Sequence, residues 1–425
     1  MITADMNILY DGFRATMRGS GWKREPQRFA HNWLHELCCL KHEQENKTYH
    51  TLPGSEFILN ERGSVRHIHG GRTRDRVVRH ALCDEVIGPG IKPYLIHNNG
   101  ASQKNKGLSF ARRLFETDLH NYFLQNGNNE GVVVFGDFSK FYDNIEHAKI
   151  RKELYPKLPD DEHWLMDEIL HNMEVDVSYM TDAEFAACMS QKFNSVEYYR
   201  NVPKEARTGE KMMPKSVDIG DQVSQHIGVF FPYRIDNYVK IVRGLKFYGR
   251  YNDDFYYICK TKEEALSVME GIAELAKEMG VYINQRKTHI VKLSGKYKYL
   301  QVRYSLTASG KVIKRINPKT VTRERRKLKA YKRLLDKGKL PYEDIEQAYK
   351  SWMGVFTKLM SKQQILNMRT LYKKLFGKDA RWKKSLSPLK TVPKLKQTKT
   401  ATATSWTPSR FSLPTYRKSM LGMPS

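Results

Sequence analysis

The chain has 425 residues, 40% of them apolar, which allows two or three domains with proper cores and excludes a small scaffold held by disulfides. Lysine and arginine number 73 against 46 acids, a formal charge of +27 that points to a polyanionic partner, because each phosphate neutralised by a basic side chain releases counterions. No apolar run approaches the roughly 18 residues of a spanning helix, and "MITADMNILYDGFRATMRGSGWK" has no apolar signal-peptide core. No membrane partner is therefore expected, and the cytoplasm is the expected location. Cys38, Cys39, Cys83, Cys188 and Cys259 form no C-x-x-C pair and read as reduced thiols rather than zinc ligands or disulfides.

Residues 1 to about 50 carry helical periodicity and predict one or two amphipathic helices. "SEFILNERGSVRHIHGG" alternates apolar and polar residues around a Glu-Arg-Gly turn, a hairpin signal. "RDRVVRHALCDEVIGPG" returns to helical spacing and is expected to stop at Gly88, Pro89 and Gly90; a further basic helix, "LSFARRLFETDLHNYFLQ", follows a loop. "GVVVFGDFSKFYDNIEH" begins as a buried strand and ends in Asp137, and residues 151–215 are mixed. "SVDIGDQVSQHIGVFFPYRIDNYVK" predicts a glycine turn and an apolar helix. "GRYNDDFYYI" then places Asp253 and Asp254 inside an aromatic run, followed by the helix "KEEALSVMEGIAELAKEMG" and the short strands "YINQRKTHIVKL" and "YKYLQVRYSLT".

From about residue 311 the composition shifts to basic helices, in which Tyr331, Tyr349, Trp352 and Phe356 are expected to form a core and the lysines to follow a duplex backbone. Beyond Asp379 no acid remains, and the Lys-, Ser-, Thr- and Pro-rich tail cannot bury enough apolar surface to fold alone; it is expected to order only on a partner.

Two adjacent carboxylates repel unless something positive lies between them, so Asp253-Asp254 is either a solvated turn or a cation site. An Asp ending an apolar strand is likewise either a cap or a ligand. Their order along the chain favours the ligand reading: Asp137, a glycine turn into a helix, and a hairpin with Asp253 and Asp254 can converge on one point. Such a cluster suits two hard divalent ions that clamp the oxygens of a phosphoryl transfer, and the lack of His-Cys ligand spacing argues against zinc chemistry.

In order, "GDFSKFYDNI", "IGDQVSQ", "YNDDF", "NQRKTHIV" and "YKYLQVRY" resemble motifs A to E of reverse transcriptases, and "RHIHGGRTRDRVVRHALC" resembles their fingers region. The resemblance covers roughly residues 50–380. It is strongest to bacterial non-mobile enzymes, those of diversity-generating retroelements and, closer, the defence-associated enzymes of anti-phage systems, with the type 2 member nearest; group II intron enzymes are also related. It implies an α+β right-hand polymerase: residues 1–125 as N-terminal helices and fingers, 126–305 as palm with an insertion at 151–215, 306–380 as helical thumb, and 381–425 as a basic tail.

Carried over by position, the resemblance implies that Asp137, Asp253 and Asp254 hold two Mg2+ ions, with Mn2+ as a substitute, and that Lys287 protonates the leaving pyrophosphate. Arg66, Arg76, Phe138, Tyr142 and Gln225 would bind the nucleotide, Tyr142 as the gate against a 2'-hydroxyl. Gly220, Ser224, Tyr299 and Leu300 would support template and primer. The implied partners are deoxynucleoside triphosphates, an RNA-DNA hybrid and a non-coding RNA template copied into cDNA in anti-phage defence; a homo-oligomer is left open. Untemplated or protein-primed synthesis, and a diversity-generating retroelement enzyme, are the alternatives. Asn252 stands where alanine or a hydrophobic residue is usual, Asp218 where proline is common, and "YLQ" replaces "FLG", which puts the usual tight turn in doubt. No ribonuclease H, zinc endonuclease or protease signature is seen, which favours an enzyme fixed to one RNA of its own locus.

Overall fold

The computed structural model describes residues 1–61 and 64–380. Residues 62–63, on which the Glu-Arg-Gly turn was expected to fall, and the basic tail (381–425), for which folding on a partner was the expectation, lie outside them. Three helices open the chain where one or two were expected: α1 (Met6–Ser20), α2 (Arg24–His31) and α3 (Trp33–Glu45), broken around Gly21 and at Asn32. Asp5 caps α1 by accepting from the amides of Asn7 and Ile8. Strands β1 (Ser55–Glu61) and β2 (Ser64–Gly70) form the expected antiparallel ribbon, with Glu56 opposite His69 and Leu59 opposite Arg66.

Helix α4 (Thr73–Leu82) crosses α1 so closely at Gly12 that a Cβ there would stand 2.6 Å from the Val77 carbonyl. It does not stop at Gly88. A π turn (Cys83–Ile87) leads into α5 (Gly88–Ile91), because Pro89 falls in the first turn of α5, where a missing N–H costs nothing. Helix α6 (Leu108–Asn126) ends at Gly127, a left-handed C-cap with φ 71°.

Strand β3 (Val132–Ser139) is the centre of the molecule and runs past Asp137 rather than ending there. Then come α7 (His147–Leu154), α8 (His163–Asn172), and a two-residue ladder of β4 (Val175–Asp176) with β5 (Met212–Met213) enclosing α9 (Asp182–Ser190) and α10 (Ser195–Asn201). That stretch has its own small core of Val177, Phe193, Tyr198 and Met213. Helices α11 (Gln222–Phe230) and α12 (Tyr233–Asn237) precede β6 (Tyr248–Tyr251), β7 (Asp254–Cys259) and α13 (Lys262–Glu278).

The central sheet is antiparallel in the order β6-β7-β3-β8, where β8 is Tyr282–Ile283; β9 (His289–Lys292) also pairs with β3. The single strand expected at "YINQRKTHIVKL" is thus two pieces on the same neighbour, separated by a loop. Side chains of β3 alternate between two cores: Val133 and Phe135 pack with Phe115 of α6, whereas Val134 and Phe138 pack under α11 and α13.

A second sheet of β10 (Tyr297–Tyr299), β11 (Val302–Leu306) and β12 (Val312–Ile316) covers the α6 side. Sequence periodicity missed β12, so the basic helices begin at Pro318 rather than near 311. These are α14 (Pro318–Asp336), α15 (Tyr342–Phe356) and α16 (Lys362–Phe376), packed on Leu328, Tyr349, Met353, Phe356, Met368 and Tyr372, with Tyr331 and Trp352 at the edge. Helices and antiparallel sheets make the fold α+β, as expected. Among the described residues no helix is long and apolar enough to cross a membrane.

Candidate active site

The β6–β7 hairpin closes with Tyr251 opposite Asp254, leaving Asn252 and Asp253 as a two-residue turn. Such a turn favours positive φ, and Asn252 adopts φ 54°, a conformation asparagine tolerates better than the expected alanine would. Arg250 ties the turn down from below. Its Nη1 donates to the Asn252 carbonyl at 3.1 Å, while Nε and Nη2 fork onto the wholly buried Asp236 at 2.9 and 2.7 Å.

Strand pairing does the rest of the positioning. Asp254 lies directly opposite Asp137 in the β3–β7 register, and Asp253 is on the adjoining turn. The approach of the strands requires Gly136, where a Cβ would stand 2.1 Å from the Phe255 ring. Asn284 and Lys287, on the loop between β8 and β9, close over Asp137. The Asn284 Nδ2 donates to Oδ1 at 3.0 Å and the Lys287 Nζ to Oδ2 at 2.9 Å.

This is a cluster of like charge. Burial and then the Asp137 charge raise the Asp253 carboxyl above its ordinary value, against the pull of Lys287 and Arg66. Asp254 is at the open rim, yet the surrounding protein and the Asp253 and Asp137 charges push it up to about 7. Lys287 is 64% exposed; desolvation lowers its pKa, but the hydrogen bond and charge of Asp137 outweigh that and leave it raised.

The carboxylates present only hard oxygen donors, and the side-chain oxygen of Asn252 is buried beside them without a partner. That donor set fits divalent ions of the Mg2+ kind, which would relieve the mutual repulsion. The three aspartates do not gather one oxygen each within 4.8 Å of the others, and both Asp137 oxygens are engaged by Asn284 and Lys287.

A cleft of about 800 Å3 opens beside them, bordered by Arg66, Phe138, Tyr142, Asp253, Asn284 and Lys287. The Tyr142 ring packs on α11 where Gly228 leaves room; a Cβ at Gly228 would stand 2.7 Å from its hydroxyl. Burial and then the nearby Asp253 charge push the Tyr142 hydroxyl up to about 12. The Phe138 ring is itself in the core, stacked on Phe141 at 5.5 Å.

Other sequence candidates fall elsewhere. Arg76 is on α4 and donates to Ser20 Oγ at 3.0 Å, and Gln225 is exposed on α11; neither borders the cleft among the described residues. Ser224 is fully buried against Met173, and Gly220 makes its turn with φ 108° against β2. The Tyr299 ring is core, packed on Phe115 and Tyr256.

The tight turn doubted for lack of glycine is present. Leu300 (φ 41°) and Gln301 (φ 72°) both take left-handed backbone between Tyr299 and Val302, and Arg112 donates twice to the Leu300 carbonyl, at 3.0 and 2.6 Å. Sequence reasoning also missed Asp221. It caps α11 by accepting from Val223 N at 2.8 Å and pairs with the buried Arg79. An Asp just ahead of an apolar helix is a legible cap signal.

Comparison with known proteins adds a family. A sequence profile described as "Reverse transcriptase (RNA-dependent DNA polymerase)" matches residues 91–304. No curated protein matches the sequence. Among solved structures, telomerase from Candida albicans in complex with a TWJ fragment of telomeric RNA is 12% identical, with TM-score 0.40, over 81% of this chain and 64% of that one. Apo telomerase from Candida tropicalis is 14% identical, with TM-score 0.38, over 77% and 63%. A form truncated from its C-terminal domain is 12% identical, with TM-score 0.37, over 61% and 54%. The chain therefore spans less than two thirds of each telomerase chain. The profile covers half of the 425 residues and every strand that carries the three aspartates, and with it goes the right-hand polymerase fold. The chain belongs to the reverse transcriptases, the RNA-dependent DNA polymerases.

Proposed function

We propose that this chain is an active RNA-directed DNA polymerase of bacterial anti-phage defence that copies a non-coding RNA of its own locus into cDNA. The observation that carries the polymerase reading is the cross-strand pair Asp137 and Asp254 with Asp253 on the adjoining turn, beside a cleft large enough for a nucleotide. Asp137, Asp253 and Asp254 would hold two Mg2+ ions, or Mn2+; when bound, such ions lower the charge barrier between attacking and leaving oxygens.

The chain's own residues supply the rest. Arg66 faces the cleft with a guanidinium suited to phosphate oxygens, and Tyr142 narrows it where a 2'-hydroxyl would sit. Lys287 holds a proton at Nζ, already hydrogen-bonded to Asp137 and within the cleft lining, in position to pass it to a leaving pyrophosphate. We assign residues 1–125 to helices and fingers, 126–305 to the palm and 306–380 to the thumb. The basic surface of α14, with only two acids in the stretch "PKTVTRERRKLKAYKRLLD", suits a duplex backbone.

The defence assignment is supported by the five ordered motifs and their similarity to defence-associated enzymes. It is tested by expressing the protein with its native flanking DNA, beside Asp253→Ala with Asp254→Ala, and sequencing the RNA and DNA that co-purify. DNA complementary to one flanking RNA, absent from the variant, is the expected result. Low-complexity DNA matching no template would replace the templated reading with untemplated synthesis.

A further inference from the structure

We propose that Glu56, His67 and His69 on the β1–β2 ribbon, completed by Asp218 from the segment entering α11, form a separate site for a divalent cation of the Zn2+ class. His67 and His69 alternate along β2 and so share a face, and Glu56 lies directly across from His69. One ligand atom from each of the three falls within 4.8 Å of the others. The His67 Nε2 is 3.6 Å from Glu56 Oε2, and the His69 Nδ1 is 3.5 Å from Asp218 Oδ2. Those separations are long for hydrogen bonds. They are close to the roughly 3.3 Å between two ligand atoms on one tetrahedral ion with bonds of about 2.0–2.1 Å.

A second observation points the same way. The His67 side chain is only 10% exposed, and its Nε2, aimed into the cluster, is buried with no hydrogen-bond partner. A native fold rarely leaves such an atom unsatisfied. The two imidazole rings meet edge to face at 4.4 Å, which holds both on the same side of the ribbon. The Arg207 guanidinium, 3.7 Å from the same Glu56 oxygen, is the competitor a cation must share it with.

Two imidazoles with carboxylates make a borderline N/O donor set, which selects Zn2+ or Co2+ over Mg2+. The site lines a cavity of about 320 Å3 that adjoins the aspartate cleft, with Asp143 and Ile219 bordering both. Arg66 immediately precedes His67 and so lies on the opposite face of β2 from the two histidines, bordering the cleft. A cation here would staple the ribbon to the segment before α11 and stiffen the mount of Arg66.

The test is a Co2+ titration of the chelator-stripped full chain in excess Mg2+, run on the wild type and on Asp253→Ala with Asp254→Ala, which removes two palm carboxylates. Expected is one Co2+ per chain in both, with the intense visible d–d bands of a four- or five-coordinate ion, displaced by Zn2+. Losing even an outer partner of a metal ligand costs 10–100-fold in affinity, so His67→Gln should weaken binding at least about 100-fold. Glu56→Gln, at a side chain 41% exposed, is the second variant should His67→Gln fail to fold, and should also weaken binding and shift the bands. His50→Gln, at an exposed imidazole elsewhere, should leave the titration unchanged. Absence of a stoichiometric Co2+, or a titration that folded His67→Gln and Glu56→Gln leave untouched, overturns the proposal.

Discussion

Lys287 rests its ammonium on the Asp137 carboxylate at 2.9 Å, and so occupies an oxygen that a catalytic cation would need. Asn284 takes the other oxygen at 3.0 Å. The loop between β8 and β9 therefore covers Asp137, and a cation bound at that oxygen would compete with Lys287 for it. A lysine that is 64% exposed has room to move aside.

Replacing Lys287 with Met should separate two effects. The competitor for Asp137 is gone, so half-saturation by Mg2+ should occur at a lower concentration. A general acid contributes about 10^2–10^4-fold, so kcat should fall by roughly 100-fold or more. Steady-state synthesis at varied Mg2+ reads both; an unchanged kcat would remove Lys287 from the proton transfer.

Metal binding should also depend on pH. The Asp254 carboxyl is raised, by burial first and then by its neighbours, to about 7, and Asp253 shifts the same way. In the metal-free chain a raised carboxyl contributes stability that is complete below its ordinary pKa near 3.9 and lost as pH rises through about 7. A cation needs the ionised form, so the rise in Tm on adding Mg2+ should be larger at about pH 8 than at about pH 6. Asp254→Asn should flatten that difference, as differential scanning fluorimetry would show.

Arg250 and Asp236 are both completely buried, and Tyr248 donates to the same Asp236 oxygen as the Arg250 Nε. Removing one partner strands the other charge, so Arg250→Met should destabilise the chain by about 3–5 kcal/mol in urea unfolding. Adding Asp236→Leu should recover part of that loss, since the two changes share one interaction.

Tyr142→Val opens the cleft beside Asp253 while leaving the three aspartates in place. The expected outcome is ribonucleotide incorporation raised by roughly tenfold or more, a difference of the size one shape contact supplies. Competition between deoxy- and ribonucleotides in a single-turnover assay measures it, and unchanged discrimination would place the gate elsewhere.

The aspartates were legible because strand, turn and hairpin signals are local, and pairing of β3 with β7 follows once both are apolar strands with acids at the same end. Arg250 was passed over in the same quoted stretch: a basic residue inside an aromatic run demands a buried acid, but only tertiary packing identifies Asp236. The turn at Leu300 and Gln301 was doubted because glycine is the usual left-handed residue, whereas here Arg112 holds the turn from α6. Helix continuation through Pro89 and the Glu56, His67 and His69 cluster were likewise hidden. The first depends on where a helical turn restarts, and the second on a cross-strand register that ligand spacing along the chain does not reveal.

The most direct measurement is deoxynucleotide incorporation on a defined RNA template in Mg2+ by the purified chain and by Asp253→Asn with Asp254→Asn, with RNA binding recorded for both. The account predicts a product complementary to the template from the wild type, and none from the variant although it retains the RNA. Product that persists in the variant, or none from a wild type that binds template, primer and Mg2+, would contradict it.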